Sequence, residues 1–193
     1  MKQDILEIRW HGRGGQGAKT AALLLGEAAL SLGKYIQAFP EYGPERMGAP
    51  VASFNRISST PISLHCSITD PKIVIVLDQT LMGKVEVTDG LPADGILIVN
   101  TTKSPAEVRK QLNLKGAKVY TVDASGISKA TIGREIPNTP MMGALVKASG
   151  LLEIDSMLKD TEDKLKKKFA SKPEIVAGNL KAIKQAYDEV TGE

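Results

Sequence analysis

Cysteine is almost absent from this 193-residue chain. Cys66 stands alone, which rules out an intramolecular disulfide and leaves too few thiolates for a cysteine-ligated iron–sulfur cluster within the chain. A solitary cysteine of this kind is expected to be a buried thiol. Histidine is nearly as scarce: His11 and His65 lie far apart, without metal-ligand spacing and without an obvious Asp or Ser partner, so the chain is expected to bind no metal. Aromatic residues make up 4% of the sequence, too few for base-stacking platforms, and the net charge of +3 arises from 25 basic residues interleaved with 22 acidic ones. Neither feature suits a nucleic-acid surface. There is no run of about 18 apolar residues and no basic-then-apolar leader pattern, so no membrane segment is expected and the expected location is the cytoplasm.

What remains is the composition of an ordinary folded protein, 42% hydrophobic and 24% charged, at a length that fits one domain over residues 1–193. The chain is organised around residues 5–20, an apolar strand running into a glycine turn and then into an alanine- and leucine-rich helix. Gly12, Gly14 and Gly17 satisfy G-x-G-x-x-G, where missing side chains permit a tight turn and close approach of a ligand. The helix that follows aims unpaired N–H groups and the positive end of its dipole at the mouth of the loop, so the natural occupant is an anion. The spacing argues against a triphosphate-binding P-loop, because Ala18 separates Gly17 from Lys19 and turns that lysine by about 100° around the helix. A dinucleotide site needs a carboxylate about 20 residues on, at the end of the second strand, and Glu41 is a poor match.

Residues 4–11 read as the first strand and 17–32 as the helix, which Gly33 ends. Only Lys19, Gly26, Glu27 and Ser31 form a polar stripe on that helix, so a second layer or another subunit is expected to cover what the sheet does not. A second strand at 35–39 leads into a stiff loop, 40–50, with three prolines and two glycines around Glu41, Glu45 and Arg46. Loops held rigidly by a scaffold are where binding residues collect. Residues 51–58 and 62–68 alternate at period two on either side of Ser59-Thr60-Pro61, which predicts a β-hairpin and hence a mixed sheet.

Apolar runs at 72–78, 95–100 and 118–123 predict strands covered on both faces. They end in Asp78, Asn100 and Asp123, at the edge where open α/β sheets carry ligands, although such residues more commonly cap helices. A short irregular helix is expected at 79–88, and another runs to 112 from a cap at Thr101 or Ser104, with Pro105 in its first turn. Asn138 or Thr139 should cap a helix to 149. Helices at 155–169 and 173–190 close the chain, the last with a capping box from Ser171 to Glu174. The fold class expected is three-layer α/β/α, with a mixed, mostly parallel central sheet containing a β-hairpin insertion, and C-terminal helices.

Three stretches together carry a family resemblance: Ile8-Arg9-Trp10-His11-Gly12-Arg13-Gly14-Gly15-Gln16-Gly17-Ala18, then Gln37-Ala38-Phe39-Pro40-Glu41-Tyr42-Gly43-Pro44-Glu45-Arg46-Met47-Gly48-Ala49-Pro50, then Ile136-Pro137-Asn138-Thr139-Pro140-Met141-Met142-Gly143-Ala144. In order and spacing the chain resembles the gamma subunit of a 2-oxoacid:ferredoxin oxidoreductase, of the pyruvate or branched-chain type. That resemblance implies a part of a multi-subunit enzyme that decarboxylates a 2-oxoacid, passes the acyl group to coenzyme A and reduces ferredoxin. It implies alpha, beta and delta (ferredoxin-like) partner subunits, which hold the thiamine diphosphate, magnesium and [4Fe–4S] clusters, and no catalytic residue in this chain. The resemblance further implies a cofactor-binding group of Gly12, Arg13, Gly14, Gly15, Gln16, Gly17, Arg46 and Asn138, and subunit-interface residues Glu41, Tyr42, Glu45, Met47, Thr139 and Met141. Two other readings stay open: a nucleotide-binding protein using the glycine loop alone, which leaves the second and third stretches unexplained, and a non-catalytic scaffold subunit of the same complex.

Overall fold

The computed structural model describes residues 5–41 and 47–193. Its strands β1 (Ile5–Arg13), β2 (Tyr35–Pro40), β3 (Pro50–Ser58), β4 (Ile73–Val76), β5 (Ile96–Asn100), β6 (Lys118–Val122) and β7 (Thr191–Gly192) form one sheet in the order β2-β3-β1-β4-β5-β6-β7. β1, β4, β5 and β6 run parallel, whereas β3 is antiparallel to both β1 and β2, and β7 is antiparallel to β6. The sheet is therefore mixed, as the alternating segment required. Its helices are α1 (Ala18–Ser31), α2 (Pro105–Leu112), α3 (Ala124–Ile132), α4 (Asn138–Ser149), α5 (Ile154–Lys168) and α6 (Pro173–Glu189).

The strands' alternation divides the core between two layers. Ile8, Trp10, Ile73, Ile75 and Ile98 meet α1 and α3 to α6 on one face, whereas Val74, Val76, Leu97, Val99 and Val119 meet Val108 of α2 and the turns around Leu81 and Val87 on the other. Helix α4 lies inside the first layer, buried from Asn138 to Val146. Trp10 is fully buried and donates through Nε1 to Asn55 Oδ1 at 2.9 Å, while Asn55 Nδ2 donates to the Ala22 carbonyl at 2.8 Å. One side-chain amide thus ties β1, β3 and α1 together, with each of its polar atoms satisfied.

The hairpin partner of β3 differs from the sequence reading. Residues 62–68 alternate in hydrophobicity but make no strand, because β1 and β2 already occupy both edges of β3. The true hairpin is β2–β3, closed by the 41–49 connection. Arg56, 1% exposed, holds the displaced segment by donating to the Cys66 carbonyl at 2.7 Å and to the Ser67 carbonyl at 3.3 Å. Cys66 is consequently exposed rather than buried.

Other expectations shift in smaller ways. The irregular helix at 79–88 shrinks to a 3-10 turn at Gln79–Leu81, capped by Asp78. Of the two expected caps for α2, Ser104 is the one used, and it forms a capping box with Glu107. Helix α4 begins after Pro137 without a side-chain cap, because Asn138 is already its first residue. Helix α6 starts after Lys172 and lacks the Ser171 box. Helix α3, capped by Asp123, and the short β7 had no distinct periodic signal. Helix α1 is covered by the sheet and by α4 and α5, yet Leu23 and Leu30 on its outer face stay exposed, Leu30 by 57%.

Candidate functional site

The chain leaves the carboxyl end of β1 toward β2 on one side of the sheet and leaves β4 toward β5 on the other. Such a reversal opens a crevice at the strand ends, the place where open α/β sheets hold ligands. The glycine loop and Asp78 flank this crevice. Within the loop Gly15 has φ +99° and Gly17 φ +82°, left-handed conformations that residues with side chains rarely adopt. Gly17 is the N-cap of α1, which has no side-chain cap and no acid in its first turn. The first bond of that helix runs from the Ala21 N–H to the Gly17 carbonyl at 2.9 Å, so the amides of Ala18, Lys19 and Thr20 precede the intrahelical ladder. Lys19 is exposed beside them.

Asn138 packs against Gly17 at this helix end. A Cβ on Gly17 would lie 2.5 Å from Asn138 Nδ2, so the first and third sequence stretches touch only because residue 17 is glycine. Asn138 is 8% exposed; its Oδ1 accepts from the Thr139 N–H at 2.8 Å, and among the described residues its Nδ2 has no acceptor. Thr139 and Met141, expected at a subunit interface, instead point inward. Thr139 Oγ1 donates to Asn179 Oδ1 at 2.8 Å and Met141 is fully buried, so the chain's own core occupies them.

The second stretch meets the glycine loop through backbone. Gly14 N–H donates to the Ala49 carbonyl at 2.9 Å and Gly48 N–H to the Gly14 carbonyl at 3.1 Å. Arg13 crosses the same seam, donating from Nη1 to the Gly48 carbonyl at 2.9 Å, from Nε to Asp78 Oδ2 at 3.0 Å and from Nη2 to Thr80 Oγ1 at 2.8 Å. Gln16 accepts the Arg13 N–H on Oε1 at 2.8 Å and donates from Nε2 to Asp78 Oδ2 at 2.9 Å. The other Asp78 oxygen accepts from the Thr80 N–H at 2.8 Å and from its hydroxyl at 2.6 Å. Burial pushes the Asp78 pKa up, but the bonds from Thr80 and Gln16 and the charge of Arg13 together hold it below the usual carboxylate value. Glu41 and Met47 stand exposed at the rim, Met47 by 96%, whereas Tyr42, Glu45 and Arg46 lie outside the described residues.

His11 and Arg9 face the opposite layer from Trp10. His11 is 8% exposed, its Nε2 has no partner, and burial followed by the charge of Arg9 lowers its pKa to about 4. Arg9 Nη2 donates to the carbonyls of Val87 and Asp89. Nothing in this layer pairs a nucleophile with a base, and among the described residues no group of His, Cys, Asp and Glu is arranged to hold a metal. The arrangement suits anion binding by backbone amides rather than bond-making by side chains. Sequence reasoning found the loop and Asn138 but gave Asp78 no part in it; the one signal was an Asp closing an apolar strand. It missed Thr80 altogether.

The sequence matches the pyruvate ferredoxin/flavodoxin oxidoreductase family over residues 7–189. It is 48% identical over 185 residues to the common gamma subunit of the pyruvate/ketoisovalerate oxidoreductases of Pyrococcus abyssi, covering 96% of this chain and 97% of that one. The crystal structure of pyruvate oxidoreductase subunit PORC from Thermotoga maritima matches with a TM-score of 0.86 at 44% identity, over 100% of this chain and 99% of that one. The fold also recurs, with a TM-score of 0.76 and 20% identity, over 97% of this chain and 31% of the 2-oxoglutarate:ferredoxin oxidoreductase of Magnetococcus marinus, a structure holding 2-oxoglutarate, coenzyme A and succinyl-CoA. A chain matched nearly end to end in sequence and in fold belongs to the pyruvate ferredoxin/flavodoxin oxidoreductase family.

Proposed function

We propose that this chain works as the gamma subunit of a cytoplasmic 2-oxoacid:ferredoxin oxidoreductase, acting on pyruvate or a branched-chain 2-oxoacid, and that its glycine loop receives the phosphates of coenzyme A. The alpha, beta and delta subunits supply thiamine diphosphate, magnesium and the [4Fe–4S] clusters, a division that suits a chain with one cysteine. Residues 1–193 act as one domain. The observation that carries the reading is the uncapped start of α1, backed by the unbonded Nδ2 of a nine-tenths buried Asn138. Amides of the first helical turn, the helix dipole and a side-chain donor converge there, as a diphosphate requires. Arg46, on the adjoining loop, is assigned a second positive charge for the same group, and Glu41, Tyr42, Glu45 and Met47 are assigned to the contact with a partner subunit. An exposed methionine at a glycine turn suits such a contact, since thioether side chains adapt to irregular apolar surfaces.

The test replaces Asn138 by Asp in the assembled complex, which keeps the shape and turns a donor into a charge facing the anion. The KM for coenzyme A should rise about ten- to a hundredfold, the equivalent of about 1.5–3 kcal/mol for one charge-assisted bond. With pantetheine, which lacks the diphosphate, as acyl acceptor the KM should stay unchanged. An unchanged KM for coenzyme A makes the loop a scaffold.

A further inference from the structure

We propose that Asp78 is the positioning residue of this anion site, and that Arg13 acts through it as a strut rather than as a ligand of the phosphates. The proposal rests on the reading of the glycine loop as the coenzyme A site and asks what holds that loop in its receptive shape. Two of the loop's side chains, Arg13 and Gln16, converge on one oxygen, Asp78 Oδ2, at 3.0 and 2.9 Å. Gln16 returns the constraint to the backbone by accepting the Arg13 N–H at 2.8 Å. Arg13 extends it to the neighbouring loop through the Gly48 carbonyl and to the 3-10 turn through Thr80. The carboxylate is therefore the shared acceptor of the glycine loop and the 3-10 turn, and through Arg13 it is linked to the neighbouring loop, which also meets Gly14 through the backbone bonds of residues 48 and 49. It is also an unprovoked negative charge at the edge of an anion site unless its role is to take the charge of Arg13. Its own position is fixed by the two bonds from Thr80, so the loop is pinned to the end of β4 rather than to a mobile group.

Arg13 spends its Nε and one N–H of each terminal nitrogen on Asp78, Thr80 and Gly48, and its charge lies against a carboxylate whose pKa, against the opposing effect of burial, the bonds from Thr80 and Gln16 and then the Arg13 charge hold below the usual value. The phosphate is left to the backbone amides and the helix dipole, which need the loop in one conformation. The two roles of Arg13 differ in the sign of a measurable effect. If Asp78 positions the loop, Asp78→Asn loosens it and weakens coenzyme A; if Asp78 merely masks an arginine that binds phosphate, Asp78→Asn frees the arginine and tightens coenzyme A.

The experiment measures KM for coenzyme A and kcat at saturating coenzyme A in the assembled enzyme carrying Asp78→Asn, Asp78→Glu, Arg13→Gln, or both Asp78→Asn and Arg13→Gln. Asp78→Asn should raise KM at least tenfold while kcat stays within about twofold, and Asp78→Glu should recover part of the loss. The double variant should be no worse than the poorer single, since both remove the same strut. A fall in KM on Asp78→Asn, an unchanged KM, an equal loss in kcat, or additive effects in the double variant overturns the proposal. The Asn138→Asp enzyme separates the layers: if it shows an unchanged KM the coenzyme A reading itself fails, whereas a raised KM there beside an unchanged one for Asp78→Asn sinks only the positioning role.

Discussion

His11 gives a stability prediction whose size follows from its burial. The ring sits 8% exposed beside Arg9 with Nε2 unpartnered, and its pKa falls from an ordinary 6.5 to about 4 because charging it would strand a cation in the sheet's covered layer. The unfolded chain takes up a proton near pH 6.5 and the folded chain does not, so stability is complete above that value and is lost as the pH falls toward 4. At about 1.4 kcal/mol per pKa unit the loss amounts to about 3 kcal/mol, a large share of the 5–15 kcal/mol typical of a domain. Acid also protonates groups other than this imidazole, so the test compares the chain with His11→Leu, in which only this linkage is missing. Urea unfolding of both at several pH values from 7.5 to 4 should show the stability difference moving by about 3 kcal/mol in favour of the variant as the pH drops. A difference that stays constant would mean that the folded protein accommodates the charged ring, and the reasoning from burial would be refuted.

Three further outcomes check the packing. Asn55→Ala strips partners from both the buried Trp10 Nε1 and the Ala22 carbonyl and should cost about 2–4 kcal/mol, visible in the emission of the chain's only tryptophan and in Tm; a loss under 1 kcal/mol would mean that water replaces the amide. Gly143→Ala places a Cβ onto the Ile183 carbonyl oxygen between α4 and α6, and should lower Tm by several degrees, whereas an unchanged Tm would show that the two helices can separate freely. The exposed Leu23, Leu30 and Leu32 should make the isolated chain bind an apolar dye and self-associate; Leu23→Ser with Leu30→Ser should reduce both, and an unaltered monodisperse monomer before and after would count against an unsatisfied apolar face.

Period and punctuation revealed most of the architecture. The uninterrupted apolar runs before Asp78, Asn100 and Asp123 are strands or lead directly out of them, and Ser104 with Pro105 marked a helix start. Pairing was not legible, because alternation says that a segment could be a strand and not whether an edge is free to receive it. Residues 62–68 alternate as well as β3 does, yet β3 has no edge left for them, and Cys66 is exposed as a result. The site shows the same division. Glycines whose absent side chains permit a tight turn and a close approach can be recognised locally, so Gly12, Gly14 and Gly17 stood out, whereas the left-handed turn at Gly15 was visible only in the fold. Asp78 could not be assigned, because its bonds to Arg13 and Gln16 span more than 60 residues and depend on β4 lying beside β1. Asn138 was placed in the group, but its position against Gly17 rather than at a helix cap is a product of how α4 packs.

The central claim is that the start of α1 and the loop before it receive the phosphates of coenzyme A. Hydrogen–deuterium exchange of the assembled enzyme tests it most directly. Coenzyme A should slow exchange in peptides covering residues 14–20 and at the start of α4, and pantetheine at the same occupancy should leave both unchanged. Equal protection by the two compounds, or none in these segments while coenzyme A saturates the enzyme, would contradict the account.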